Sequence, residues 1–264
     1  MEWTRMTGPQ LAEAARDCGV CLLPIGSLEA HGRHLPVGTD GLTTEAVCRA
    51  AAEAEPCVVA PMIWYSHVRE MKATVGAVAL DTGLLMPLVE TVCDEIARNG
   101  FRKIILVNHH GGNRNWLPLL MQDMGGAGKR YLAVLYPPEG IFRGFDHLRE
   151  SDVEEQHAGE LETSLSLHLF GDCVDMAALD GLGAEAGRAR PMADVKGYTP
   201  VEWYSQYPLA YAGDARPATK EKGREVFEAE VGKLVACIRA VKADETTFQR
   251  MKEFESQQNT PLSP

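Results

Sequence analysis

Short apolar runs alternate along the chain with longer segments in which apolar residues recur at helical spacing. The runs predict strands buried on both faces of a sheet, at 19–26, 57–63, 103–107 and 131–136. The periodic and Ala-rich segments predict helices, at 43–55, 84–98, 116–124, 159–169 and 220–243. Because strands and helices alternate, we predict an α/β fold with a mostly parallel sheet covered on both faces.

The domain organisation follows from what interrupts this pattern. No internal repeat and no Pro/Ser/Gly-rich linker divides the 264 residues. We therefore predict one domain over 1–250 and a polar C-terminal tail over 251–264, with 256–264 frayed.

Charge and cysteine content narrow the choice of partners. The net charge of −11 argues against nucleic acid and anionic membranes, because neither is attracted by an acidic surface. No apolar stretch reaches the roughly 18–20 residues of a membrane span, and the N-terminus lacks a signal-peptide core. We expect a cytoplasmic protein whose seven cysteines are reduced thiols.

The candidate chemistry begins directly after the first predicted strand. Within 24–40, Glu29, His31, His34 and Asp40 lie close together among Gly and Pro residues. Burying two carboxylates and an imidazole without a cation would be costly, so the cluster predicts a divalent metal site. Taken singly, Asp40 is also compatible with a helix N-cap, and His34 with a structural histidine.

A second cluster follows the third predicted strand. The run 107–113 reads Val-Asn-His-His-Gly-Gly-Asn and places an imidazole at the sheet edge, where ligands of parallel α/β sheets bind. Its glycines let the backbone approach a ligand closely. A phosphate-binding loop is the alternative, but no Lys-Ser/Thr pair follows at P-loop spacing.

A third cluster opens the helix predicted over 159–169. It combines His157 with Glu160 and Glu162. Acidic residues also occur at helix N-termini simply to complement the helix dipole, and this reading applies best to Glu160.

Taken in this order, the three clusters resemble the creatininase (creatinine amidohydrolase) family. The matching segments are 26–40, 108–113 and 157–164, and a late segment at 213–223 also resembles the family. The resemblance covers roughly residues 5–245. It implies a single three-layer α/β/α domain assembled as a homohexamer. It also implies two divalent metal ions, most often Zn²⁺, with Mn²⁺ or Fe²⁺ in some members.

The resemblance further implies a role for each site residue. Glu29 would bind one metal together with His110, His31 would bind the other, and Asp40 would bridge them. His157 matches the family's catalytic histidine. Creatininase itself has a metal-binding Glu where this chain has Gly112. We expect Glu162 to be the fifth ligand and to share in catalysis, with Glu160 as the alternative.

The predicted reaction is hydrolysis of a C–N bond in a small cyclic or linear amide. A hydroxide bridging two metals would attack the carbonyl, and His157 would protonate the leaving group. The alternatives are C–C ring opening of a cyclic polyol ketone such as a dehydro-inosose, and a non-catalytic metal-binding scaffold.

The surroundings of the predicted centre include both supporting and variable residues. His34, Ser66 and His67 are candidate pocket residues, and Asn108 and Asn113 are expected to orient ligands. The pair Trp203–Tyr204 either walls the site or lies at a subunit interface. The segment 64–78 departs from the usual family run. We therefore do not transfer creatinine as the substrate.

Overall fold

A computed structural model describes residues 1–137 and 142–261. Within them, one sheet is formed by four parallel strands in the order β2–β1–β3–β4: β1 (Val20–Ile25), β2 (Val58–Val59), β3 (Lys103–Asn108) and β4 (Leu132–Tyr136). The register of β1 and β3 runs from Val20 opposite Lys103 to Ile25 opposite Asn108. The carboxyl ends of the two central strands therefore lie side by side.

Helices cover both faces of the sheet. They are α1 (Gly8–Asp17), α2 (Thr39–Ala54), α3 (Thr82–Arg98), α4 (Leu117–Met124), α5 (Glu160–Phe170), α6 (Glu202–Gln206), α7 (Lys220–Ala243) and α8 (Thr247–Gln257). Helices α1, α3 and α4 pack on one face, and α2 and α7 on the other. This is the predicted three-layer α/β/α arrangement.

The central strands are apolar throughout because both of their faces are buried. In β1, Cys21 and Leu23 face the layer of α1, α3 and α4, whereas Val20 and Leu22 face α2 and α7. All four side chains are fully buried. Successive strand residues point to opposite faces, so one continuous apolar run supplies two cores. All seven cysteines are free thiols, as expected.

Two predicted elements differ from the structure by more than two residues at a boundary. Strand β2 covers only Val58–Val59, because Pro61 has no N–H to donate to a ladder. The chain pairs again at Ile63, whose N–H donates to the carbonyl of Pro24 at 3.0 Å. Helix α2 begins at Thr39 instead of 43, with Gly38 as its N-cap. Asp40 is therefore not a cap but lies in the first turn.

Three helices were not predicted: α1, α6 and α8. Thr7 and Gln10 form a capping box that starts α1, and the Thr-x-x-Gln spacing was a sequence signal for it. Helix α8 begins before residue 250 and continues to Gln257 through the segment predicted as a tail. The division of the chain at 250 remains a prediction. Among the described residues, no helix combines the length and apolarity needed to cross a bilayer.

Candidate metal centre

The predicted metal ligands converge at the carboxyl edge of the sheet. The loop after β1 supplies Glu29 and His31, and the first turn of α2 supplies Asp40. The loop after β3 supplies His110, and the first turn of α5 supplies Glu162. Each is at most 9% exposed. Residues far apart in the sequence thus meet where parallel α/β sheets bind their ligands.

A close approach of α2 to the end of β1 brings Asp40 into this cluster. A Cβ on Gly26 would lie 2.6 Å from Cα of Gly41, so glycine is required for the helix to start here. The hydroxyl of Ser27 donates to Oδ2 of Asp40 at 2.7 Å and fixes the carboxylate. Ser27 was not predicted as a site residue, although it lies two positions before Glu29.

The first group of potential ligands consists of Glu29, Asp40 and His110. Nδ1 of His110 lies 3.1 Å from Oε1 of Glu29 and 2.9 Å from Oδ2 of Asp40. The other oxygen of Glu29, Oε2, is buried and has no hydrogen-bond partner among the described residues. A buried, unsatisfied carboxylate oxygen is costly unless a cation binds it, so this donor set fits a metal ion.

The second group consists of His31, Asp40 and Glu162. Nε2 of His31 lies 3.3 Å from Oδ1 of Asp40 and 3.6 Å from Oε1 of Glu162. In each group the ligand atoms lie within 4.8 Å of one another. The two oxygens of Asp40 therefore face different groups, with Oδ2 toward His110 and Oδ1 toward His31.

Backbone contacts select which atom each ligand presents. Nδ1 of His31 lies 3.2 Å from the carbonyl of Glu29, which leaves Nε2 as the free nitrogen. Nε2 of His110 lies 3.2 Å from the carbonyl of His67, which leaves Nδ1. Metal-binding histidines commonly donate their second N–H in this way. Both rings are thus oriented to offer an acceptor nitrogen to the cluster.

Gly112 is explained by the contact between His110 and His67. A Cβ at position 112 would lie 2.6 Å from Nε2 of His110 and 2.7 Å from the carbonyl oxygen of His67. A glutamate at this position would require a different loop. The absence of that side chain and the orientation of His110 are therefore linked.

An amide network supports His110 from behind. The side chain of Asn108 bonds the backbone of His110 in both directions, at 3.0 and 3.2 Å. Asn113 donates to Oδ1 of Asn108 at 2.8 Å and accepts from Nε1 of Trp116 at 2.8 Å. Ser66 also donates to Asn113. Asn108 and Asn113 thus hold the loop after β3 without entering the candidate ligand groups.

Electrostatics in the cluster reflect an excess of carboxylates. Burial alone would lower the pKa of His31, but Asp40 and Glu162 outweigh it and raise the pKa well above its ordinary value. The pKa of His110 is raised in the same way by Glu29 and Asp40. Burial would raise the pKa of Asp40, yet the two histidines hold it well below its usual value. A cation bound here would displace these protons.

His157 lies beside the second group. Its Nε2 lies 2.9 Å from the carbonyl of Ala30, and its ring centroid is 4.2 Å from that of His31. Its ligand atom is within 4.8 Å of those of Glu29 and His31. Trp203 meets the His157 ring edge-on, at 5.4 Å between centroids. Helix α6 therefore walls the site at Trp203.

Glu160, the alternative fifth ligand, is directed elsewhere. Its carboxylate accepts from the backbone N–H groups of Glu150 and Ser151 at 2.9–3.0 Å, and from Nζ of Lys222 at 2.6 Å. It belongs to none of the potential ligand groups among the described residues. Glu162 instead uses Oε2 to accept from the N–H of Ala158, which leaves Oε1 toward His31.

Of the other candidate pocket residues, only His67 lines the cavity over the described part of the chain. His34 is buried and its Nε2 contacts Oγ1 of Thr163 at 2.8 Å. Burial lowers its pKa to about 4. Ser66 is likewise buried. Both support the site from inside the protein.

Glu155 was missed by the sequence reasoning. Its Oε1 accepts from the N–H groups of Leu161 and Glu162 at 3.1 and 3.2 Å, so it caps the first turn of α5. Burial raises its pKa to about 7. The signal was its position five residues before a helix that starts without a Ser, Thr, Asp or Asn cap.

A cavity of about 1500 Å³ opens above the cluster. Its floor includes Glu29, Asp40, His110, His157 and Glu162. Its sides come from the segments 67–72, 111–115, 142–149 and 198–203. The cavity exceeds the roughly 300–1,000 Å³ of a typical small-molecule pocket, so it has room for a substrate larger than a single small ring.

The parallel α/β sheet, with buried carboxylates and imidazoles at its carboxyl edge, defines the class of α/β proteins with a candidate metal site. Residues 4–238 match the family model described as Creatininase, creatinine amidohydrolase. The chain therefore belongs to the creatininase family, as the sequence resemblance predicted.

Curated relatives include hydrolases of different kinds. The chain is 29% identical over 247 residues to creatinine amidohydrolase of Pseudomonas putida, covering 86% of this chain and 90% of the relative. It is 25% identical over 255 residues to 3-dehydro-scyllo-inosose hydrolase of Thermotoga maritima, covering 89% and 82%. It is 30% identical over 221 residues to mycofactocin precursor peptide peptidase of Mycolicibacterium smegmatis, covering 78% of each.

Solved structures confirm the fold. A zinc–zinc form of a creatininase mutant superposes with a TM-score of 0.74 at 26% identity, covering 92% of this chain and 98% of that one. A manganese form of creatininase gives 0.72 at 26% identity, covering 92% and 99%.

Proposed function

We propose that this protein is a two-metal hydrolase that cleaves a C–N bond in a small cyclic or linear amide. The observation that carries the proposal is the position of Asp40, whose two oxygens face two separate three-residue groups. A shared carboxylate between two such groups is the arrangement that a dinuclear hydrolytic centre requires.

Each proposed ion has three protein ligands. Glu29, Asp40 and His110 would hold one ion, and His31, Asp40 and Glu162 the other. Nitrogen and oxygen donors suit Zn²⁺, and three protein ligands leave a coordination position open, as in catalytic zinc sites. Zn²⁺ is the first choice, with Mn²⁺ or Fe²⁺ as alternatives. The zinc–zinc and manganese forms of the creatininase neighbours support this choice.

The protein's own groups divide the remaining tasks. When bound, the two ions would supply Lewis acidity and lower the pKa of water toward neutrality. His157, held through Nε2 by the carbonyl of Ala30, would carry a proton to the leaving nitrogen. Glu162 would orient the second ion, with its other oxygen fixed by the N–H of Ala158. Trp203 would restrict water around His157 from the side.

A second candidate is C–C ring opening of a cyclic polyol ketone such as a dehydro-inosose. It is supported by the relative named 3-dehydro-scyllo-inosose hydrolase. Amide cleavage is preferred because the relatives named creatinine amidohydrolase and peptidase both point to C–N bonds.

The proposal is tested by reconstituting the metal-free protein. Chelator-treated protein is reloaded with Zn²⁺ or Mn²⁺, its metal content is measured, and turnover is screened on cyclic amides, formamides and cyclic polyol ketones. We expect two ions per chain and turnover of amides that returns with the metal. Turnover of ketones alone would select the second candidate, and no turnover with saturating metal would leave a non-catalytic scaffold.

We also propose a cytoplasmic homo-oligomer, a hexamer by family resemblance. Seven free cysteines fit a reducing compartment. Exposed apolar side chains such as Val75, at 95%, and Val195, at 68%, fit a surface that subunits cover. Light scattering of the purified chain measures the oligomer size directly.

A further inference from the structure

One wall of the cavity is rich in cations. The segment 67–72 and the loop after β3 lie together, because Nε2 of His110 contacts the carbonyl of His67 at 3.2 Å. This wall carries Arg69, Lys72 and Arg114, with Glu70 as its acidic member. This wall therefore differs in charge from the chain as a whole, whose net charge is −11.

Two of these cations have no carboxylate partner among residues 1–137 and 142–261. Arg69 is paired with Asp81, whereas Lys72 and Arg114 form no ion pair there. Arg149, elsewhere on the cavity lining, is paired with Asp146 and bonded to two backbone carbonyls. Lys72 and Arg114 are both exposed and line the cavity. They are therefore the cations on this wall that a ligand could neutralise.

Arg114 lines the same cavity as the candidate metal centre and belongs to the segment that carries His110. It lies in the 3₁₀ helix Gly111–Asn115, directly after His110. Its Nε donates to the carbonyl of Gly111 at 3.3 Å, and its Nη2 lies 3.2 Å from the position of a Cβ on Gly111. The guanidinium is thus folded back over the loop that carries His110. A molecule bound in the cavity would be exposed to both the guanidinium and the candidate ligands, because both line it.

We propose that the substrate carries an anionic group, a carboxylate or a phosphate, that is bound by Arg114 with help from Lys72. This inference rests on the proposed amide hydrolysis and narrows its substrate class. The planar guanidinium donates to carboxylate and phosphate oxygens in pairs, whereas Lys72 adds a mobile point charge. A cationic wall also attracts an anionic substrate into the cavity of an otherwise acidic protein.

The test uses two probes that differ by one carboxylate. Dihydrouracil and dihydroorotate are both cyclic amides, and only dihydroorotate is anionic. Binding of each to the zinc-loaded protein is measured by calorimetry, together with its hydrolysis. We expect dihydroorotate to bind roughly tenfold more tightly, and Arg114→Gln to remove most of this preference. Added salt should weaken the preference as well.

Arg16→Gln is the matched control. Arg16 is an exposed arginine near the amino ends of the strands, beside Gly19 and Arg102, and its loss changes the net charge equally. It should leave the preference intact. Inorganic phosphate and acetate serve as competitors. If phosphate displaces dihydroorotate and this displacement depends on Arg114, the site accepts a phosphate. If acetate alone displaces dihydroorotate, the site accepts a carboxylate.

The outcomes separate this inference from the proposed function. Equal binding of both probes, binding of neither, or a preference that survives Arg114→Gln would overturn the anion site. If dihydrouracil is hydrolysed and dihydroorotate binds no more tightly than dihydrouracil, amide hydrolysis is upheld and the anion site is refuted. An Arg114-dependent preference without hydrolysis of either probe would uphold the anion site and count against amide hydrolysis.

Discussion

The floor and the rim of the cavity are built on different principles. The floor belongs to the candidate metal centre, whose His31 and His110 are at most 3% exposed, and each has one ring nitrogen fixed by a backbone carbonyl. On the rim, Arg114 and Lys72 are exposed, and Tyr198 is 82% exposed. The floor can therefore hold one geometry, and rim residues can change without repacking the protein. We infer that the floor determines the reaction, and that residues of the rim determine which substrate binds.

The floor also carries a cost that the rim does not. Three carboxylates are gathered there, and one oxygen of Glu29 has no partner in the described part of the chain. Buried ionised groups contribute little to stability and often reduce it. We interpret the cluster as retained for metal binding at the expense of the stability of the metal-free protein.

The largest effect is expected for Asp40, the ligand that the two proposed ions share. Asp40→Ala removes a ligand from both proposed ions, so both should be lost and turnover should fall by roughly 10³-fold or more. Metal analysis and kinetics on the same sample check this result. Asp123→Ala, an exposed aspartate on α4, is the control and should change neither. An Asp40→Ala variant that keeps two ions would refute the bridging role.

A smaller effect is expected for His157, which lies on the floor but is not one of the proposed ligands. His157→Ala should retain both ions while turnover falls by roughly 10²–10⁴-fold, because a positioned proton donor is removed. His147→Ala, in which an exposed histidine is replaced, should have no effect. If His157→Ala loses metal instead, His157 is a ligand, as its distance to Glu29 and His31 permits.

The two glutamates of α5 should respond differently. Glu162→Gln should weaken binding of one ion by roughly 10–100-fold while the other stays bound. Glu160→Gln should leave metal binding unchanged but lower the free energy of unfolding by about 2 kcal/mol, because its buried carboxylate holds Lys222 and two N–H groups. Metal titration and urea unfolding of both variants decide the assignment. Weaker metal binding only in Glu160→Gln would reverse it.

The smallest effect concerns pH and a residue that supports the floor. The pKa of His34 is lowered to about 4 in the folded protein, below its ordinary value near 6.5. The unfolded chain therefore binds more protons between these values, and stability falls as the pH drops through this range. The contribution of His34 to this loss between pH 7.5 and 5 should be about 2 kcal/mol.

Urea unfolding of the metal-free protein at both pH values measures this loss. In His34→Asn, which retains a polar group for Thr163, the difference between the two pH values should shrink by that amount. An unchanged pH dependence would show that His34 is not the group responsible.

The floor was largely predictable from the sequence, and the reasons are local. Glu29, His31 and Asp40 lie within twelve residues, and His110 follows a strand whose carboxyl end must face them. The choice between Glu160 and Glu162 was not predictable in this way. Residues two positions apart on a helix point roughly 200° apart, so only one of Glu160 and Glu162 can face the centre. Sequence spacing does not give the rotation of α5.

Other features depended on contacts between distant segments. The role of Gly112 follows from the carbonyl of His67, which no local pattern reveals. By contrast, two features had local signals in the sequence: Pro61, which shortens β2, and the capping box of α1. The pocket role of Trp203 required the fold, because its ring meets His157 from a segment 46 positions later in the chain.

The most direct test of the account is anomalous diffraction at the zinc edge from crystals of the zinc-loaded protein. We expect two peaks per chain, with the two oxygens of Asp40 bound to different ions at about 2.0–2.2 Å. Glu29 and His110 should bind one ion, and His31 and Glu162 the other. A single peak, or two peaks of which only one contacts Asp40, would contradict the two-metal centre.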